Sequence, residues 1–415
     1  MDQINPSIVK SPSVFGGACI IACICVGAGM LGLPAAGAGV WTIGALASLF
    51  ITMLLMILSG CLFLEVLQFY PYKSSFSSVT KDLLGAKFTM VNNLMIYFVG
   101  GILLYAYITS SGYVIAEYTG INPKFAAILF VIFFSLPILH STKMVDRFSI
   151  ILILFMIFSF LFGVVGLWSN IEITALLRDT QSNNINYLWG FLPITLAAFG
   201  YHHSISTMRD YYLDEKLAQK AIVVGVSMAF IIYAIWLLSI YGNIPREQFG
   251  PIIAQGGNID ALLISLRSTL AKENLSNIIS AFSAAAILSS FIGVGLGLLD
   301  FLADLFGHNS TSQGRFKTWV MTFLPPLIFS VILPFGFLTA IGYAAAAAAF
   351  WACLTPALLV RKTRLTQPKS TNEEPKDRIY RAPGGDWGVI VVSVFGMSVI
   401  TIHLLSMLGV LPEFS

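Results

Sequence analysis

The hydrophobic positions of this chain come in long runs separated by short polar joints. Runs long enough to cross a bilayer, which takes about 20 residues, lie near 14–39, 42–69, 93–117, 125–141, 148–169, 188–210, 221–241, 276–304, 317–333, 336–360 and 388–410. The pattern predicts an all-α polytopic membrane protein with eleven transmembrane helices. The fourth and ninth runs are the shortest.

Two runs are interrupted. The first carries Gly27, Gly29, Gly32 and Pro34 within ten residues. Glycine loses the most backbone entropy on ordering, and proline lacks an N–H and clashes with the preceding turn. Lipid offers no water to a freed backbone group, so a break survives where protein or a polar ligand satisfies it. The sixth run loses its apolar character at Phe199, Gly200, Tyr201, His202, His203 and Ser204. Two histidines inside a span must face protein, water or ligand. Two readings stand for the glycines: a binding site at mid-membrane depth, or close helix packing through small residues.

The breaks fall in the first and sixth runs, with five runs in each half. This predicts discontinuous helices 1 and 6 in a five-plus-five inverted repeat, 14–169 and 188–360, with a site between them. The eleventh helix, 388–410, is an addition.

Composition excludes a soluble domain: 10% of residues are charged, against about 25% in soluble proteins. With the short N-terminal segment 1–13 inside, eighteen of the 23 Lys and Arg fall on the cytoplasmic side and five outside. The positive-inside rule then predicts a cytoplasmic N-terminus and an outer C-terminus. The first run is too long and glycine-rich for a cleaved signal peptide. Segment 361–387 reads as a basic cytoplasmic loop without chemistry. The outer connection 242–275 contains an apolar piece, Asp260 to Leu266, read either as a lid or as a surface helix. The five cysteines read as packed thiols.

Four blocks then stand in order: Val26-Gly-Ala-Gly-Met-Leu-Gly-Leu-Pro34; Phe199-Gly-Tyr-His202 with Ser204-Ile-Ser-Thr-Met-Arg209; Ser290-Phe-Ile-Gly-Val-Gly-Leu-Gly-Leu-Leu-Asp-Phe-Leu-Ala-Asp304; and Thr322-Phe-Leu-Pro-Pro326. Together they resemble the hydroxy/aromatic amino acid permease family, and within it the tyrosine- and tryptophan-specific permeases of bacterial inner membranes. The resemblance runs from about residue 15 to 385. It implies membership of the amino acid–polyamine–organocation superfamily, the LeuT-type fold, and proton-coupled import of an aromatic amino acid, L-tyrosine first, with no cofactor. His203 departs from the family, which more often has a small residue there, as does the Ala344 to Ala349 run.

An amino acid carboxylate needs N–H donors, ideally at a helix start; Gly27, Ala28, Gly29, Met30 and Leu31 supply them. The ammonium needs carbonyls, which are free near Cys23 to Val26 and Ala198 to Gly200. The side chain needs an apolar, partly aromatic cavity, assigned to Phe199, Tyr201 and the third helix. There Tyr105, Thr109, Gly112 and Tyr113 share one helical face, which suits either a cavity lining or helix packing. For the coupling ion, His202 is the titratable candidate. The alternative is Na⁺ at Ser289 and Ser290 beside the carbonyls of Cys23 and Val26, a set that resembles the common sodium site of the LeuT-type fold. Glu65, Glu117 and Asp300 lie near helix ends and read as salt-bridge or interface residues.

Other classes fit less well. An enzyme needs a nucleophile–base pair, a metal cluster or a carboxylate dyad, and no such set is spaced for it. A channel usually shows a repeated filter or a ring of charges. Nucleic acid is not an expected partner; the amino acid, H⁺ or Na⁺, and membrane lipid are. Oligomeric state is left open.

Overall fold

Each apolar run becomes helical in the computed structural model of the protein, which describes residues 13–140, 142–177, 182–269, 273–308, 311–334, 336–366 and 380–414. No strand forms among them. Most of the N-terminal segment 1–13, and 367–379 of the basic loop, lie outside the described residues.

The first run is split into α1 (Val14–Cys25), α2 (Ala28–Leu31) and α3 (Leu33–Gly37). The next four spans are α4 (Trp41–Leu67), then α6 (Ala86–Thr119) preceded by the short α5 (Phe76–Leu84), α7 (Pro123–His140) and α8 (Thr142–Trp168). After the short α9 (Ile173–Leu177), the sixth run is split into α10 (Leu188–Ala198) and α11 (Ile205–Tyr212). Then come α12 (Glu215–Tyr241), the short helices α13 (Phe249–Ala254) and α14 (Ile259–Thr269), α15 (Glu273–Phe306) and α16 (Ser312–Ile332). Finally α17 (Phe337–Ala349) and α18 (Thr355–Thr366) are joined by a π turn at Phe350–Leu354, and α19 (Gly385–Met407) closes the bundle. Seven described helical stretches are each long and apolar enough to cross a membrane, and the pair bent by 59° at the start of the chain adds an eighth.

The second and third helices of the two halves match in length. The second helices, α4 and α12, have 27 residues each, and the third helices, α6 and α15, have 34 each. Each broken helix packs on the other half's second helix: α1 on α12, and α10 on α4. This is the LeuT-type arrangement, with helices 1 and 6 discontinuous.

Several helices run past their apolar stretches. α6 starts at Ala86 rather than near 93, and α8 at Thr142 rather than near 148, because the backbone ladder continues into water at no cost in lipid burial. α5 has no long apolar run to mark it; Ser75 starts it by accepting from the Ser78 N–H at 3.1 Å. The short helix α14 buries Ile259, Leu262, Leu263 and Leu266 against α6 and α15. Arg267 ties it to Glu117 at 2.8 Å.

The end of α18 is clamped to α4. Arg364 makes two bonds to Glu65, at 2.7 and 2.8 Å, and one to Asp386 at 2.8 Å. The Ala382 N–H also donates to Glu65 at 2.8 Å.

Candidate substrate site

The first break has a local cause on each side. α1 ends at Cys25, and Val26 and Gly27 are extended, with ψ of 102° and −154°. The chain re-enters helix with Met30 N–H bonded to Gly27 O at 3.1 Å. α15 crosses close at Gly27: a methyl group there would stand 2.5 Å from Ser290 Oγ. Gly29 is the opposite case, since a methyl group there meets nothing within 4 Å. The break therefore has an open side at Gly29, while Met30 and Leu31 bury their side chains in the bundle. Pro34 sits in the first turn of α3, where its missing N–H is harmless.

The second break starts after Ala198. Phe199 leaves the helix with ψ of 37°, the Tyr201 N–H turns back to Phe199 O at 3.0 Å, and one 3₁₀ turn, His202–Ser204, leads into α11. Phe199, Tyr201 and His202 are buried, whereas His203 is exposed. The Tyr201 hydroxyl donates to Met56 O at 2.9 Å. His202 lies beside the Tyr201 ring and edge-on to Trp351 of the π turn, with centroids 4.7 and 6.1 Å away. Neither of its ring nitrogens has a hydrogen-bond partner, nor does Trp351 Nε1. Buried polar atoms are normally paired, so this corner has bonding capacity the protein does not use.

The two breaks meet. The Tyr233 hydroxyl of α12 lies 2.6 Å from Cys25 O, at the end of α1, and 2.6 Å from Ala198 O, at the end of α10. Its ring packs on Phe199 with centroids 5.3 Å apart.

On the third helix, two of the residues that share the face are engaged in helix packing. The Tyr105 hydroxyl donates to Leu333 O at 2.9 Å, and Thr109 donates to Ser330 at 2.9 Å, so both are turned to the α16 end rather than to the breaks. The tyrosine of α6 nearest the break is Tyr107, which interacts with Ser290, the serine that stands against Gly27. The face was assigned from spacing alone, and spacing does not say which neighbour a face meets. The two serines also part: Ser290 stands against Gly27, while Ser289 donates to Ala286 O at 3.1 Å and meets Met156. Cys23 and Val26 lie on the last turn of α1 and just past it, with the Val26 N–H bonded to Ala22 O at 2.8 Å. Tyr107, Tyr233 and Trp351 escaped the sequence reading. The available signal was a hydroxyl or indole N–H deep in an apolar span, a placement that demands a partner. A groove of about 420 Å³ lined by Trp189, Ser393 and Met397 lies on the bundle's outer face, away from the breaks.

Two broken helices from matching halves, meeting at one buried point, define a LeuT-type membrane transporter. The chain belongs to the tryptophan/tyrosine permease family, whose pattern it matches over residues 10–403. It is an aromatic amino acid permease and not an enzyme. It is 38% identical to a tryptophan-specific transport protein of Haemophilus influenzae over 98% of this chain and 99% of that one. It is 39% identical to the Shigella flexneri tryptophan-specific transport protein, covering 97% and 98%, and 32% identical to the tyrosine permease of Enterobacter agglomerans, covering 98% and 99%. Among solved structures, a manganese transporter of Eremococcus coleocola superposes with a TM-score of 0.60 at 12% identity, over 95% of this chain and 86% of that one. At that identity the likeness concerns the fold.

Proposed function

We propose that the protein imports tryptophan into the cell by proton symport with alternating access. The observation that carries the reading is the meeting of the two breaks beside the open side of Gly29. The substrate carboxylate takes N–H groups of Gly27 to Leu31. Its ammonium takes carbonyls at the ends of α1 and α10. Its ring lies among Phe199, Gly200, Tyr201, Tyr107 and Tyr233. Tryptophan is preferred because the tryptophan-specific relatives are 38 to 39% identical, against 32% for the tyrosine permease. Tyrosine is the second reading, favoured by the unpartnered His202 nitrogens, which suit a phenol.

His202 is the coupling group in this reading. It is buried beside the break and unpartnered, so a proton arriving with substrate changes its bonding most. Na⁺ at Cys23, Val26, Ser289 and Ser290 is less favoured, because the two serines part: Ser290 stands against Gly27 while Ser289 turns to Ala286 O and Met156. The eleven-span count adds α7, the α10–α11 pair and α16 to the spans above. With it go a cytoplasmic N-terminus, an outer C-terminus and repeat boundaries at 14–169 and 188–360.

Uptake of labelled tryptophan and tyrosine into proteoliposomes tests this. Accumulation is expected to follow an inward proton gradient without Na⁺, with tryptophan the better competitor. His202→Ala is expected to keep exchange and lose pH-driven accumulation. Uptake that follows external Na⁺ and ignores pH overturns the proton reading.

A further inference from the structure

Tyr233 raises a proton-counting problem. Its hydroxyl has one proton and lies 2.6 Å from each of two carbonyl oxygens. A carbonyl only accepts, so the proton serves one of them at a time. The other contact brings two electron-rich oxygens together with no proton between them. Tyr233 is fully buried, as are the Phe199 ring beside it and Cys25, so water does not dilute this excess of acceptors. Three oxygens on α1, α10 and α12 thus converge with one donor among them.

We propose that Tyr233 is a positioning residue for transport, fixing Cys25 O and Ala198 O at one spacing and completing with them a seat for the substrate's ammonium. An ammonium has three N–H donors and no acceptor, which complements the set. The hydroxyl oxygen accepts one N–H while its proton stays on a carbonyl. Because the hydroxyl touches both broken helices, seating the ammonium also ties their ends together. The proposal rests on the reading of the breaks as an amino acid site.

The test compares binding of tryptophan and tyrosine with that of their analogues lacking the amine, indole-3-propionate and 3-(4-hydroxyphenyl)propionate, to the purified full chain. In Tyr233→Phe, preference for the amine is expected to fall about tenfold, the size of one lost hydrogen bond to a charged group, with analogue affinity unchanged. Tyr241→Phe is the control. Its hydroxyl lies on the same helix, bonds Pro34 O at 3.0 Å and is equally buried, yet its loss is expected to leave the preference alone. If Tyr233→Phe does not fold, 3-fluorotyrosine at position 233 keeps the ring and changes only hydroxyl strength, and a preference shift of about threefold is expected. A wild-type preference carried over unchanged, or an equal loss for amine and analogue, overturns the role of Tyr233 alone. A wild type that binds neither amino acid above its analogue overturns the amino acid reading as well.

Discussion

Gly29 separates folding from function more sharply than its neighbours do. It lies in α2 with open space where a side chain would go. Gly29→Ala therefore adds a better helix former without a clash, worth about 0.5–1 kcal/mol in stability. In the proposed site the same methyl group would stand where the carboxylate approaches the backbone. The expected outcome is a slightly raised melting temperature with weakened substrate binding, and with Gly29→Leu no transport at all. Thermal melting and radioligand binding on one preparation check it, and unchanged affinity in the leucine variant removes the backbone clamp. At this scale the sequence was legible where residue chemistry conflicted with its surroundings, as glycines and histidines do inside apolar runs. It was silent where chemistry and surroundings agree. A tyrosine such as Tyr233 or Tyr107 suits an apolar helix, and only its neighbours reveal what the hydroxyl touches.

Among the elements, the broken helices were readable because breaking a span in lipid needs special residues. Helix ends were not, since a helix passes from lipid into water with its hydrogen bonds intact; the early starts of α6 and α8 follow from that. Clamps between elements were half visible. Glu65 read as a salt-bridge partner, but its match with Arg364 joins positions 299 apart. The two arms of that arginine differ in weight. The Glu65 side chain is 6% exposed and that of Asp386 86%. Arg364→Ala leaves the Glu65 carboxylate buried without its counter-ion, a loss of about 3–5 kcal/mol. Asp386→Ala removes a solvated pair of about 0–1 kcal/mol. Melting of the detergent-purified protein is expected to fall clearly in the first variant and barely in the second. Equal falls in both would place the weight of the clamp on the outer arm.

Across the whole molecule, α1 and α12 form a seam between the halves that is closed without slack. A methyl group on Gly225 would stand 2.5 Å from Ala18 O and 2.6 Å from Ile21 Cβ, and neither atom can rotate away. Tyr212 latches the same end of α1 by donating to Ser13 O at 2.8 Å. Gly225→Ala is expected to lever α1 off α12 and expose Cys25, which is buried in the closed seam. Maleimide labelling of a variant keeping Cys25 as its one cysteine checks this, and labelling as slow as with Gly225 would show that the seam yields elsewhere. The matched lengths of α4 with α12 and of α6 with α15 carry a thermodynamic consequence. Two facings built by exchanging the postures of equal halves differ in energy only through the side chains in which the halves differ. Between two such facings about 1.4 kcal/mol is enough to change their ratio tenfold. In the proposed symport the arrow of transport is then set by the gradient consumed, and reversing that gradient is expected to reverse the flow of substrate.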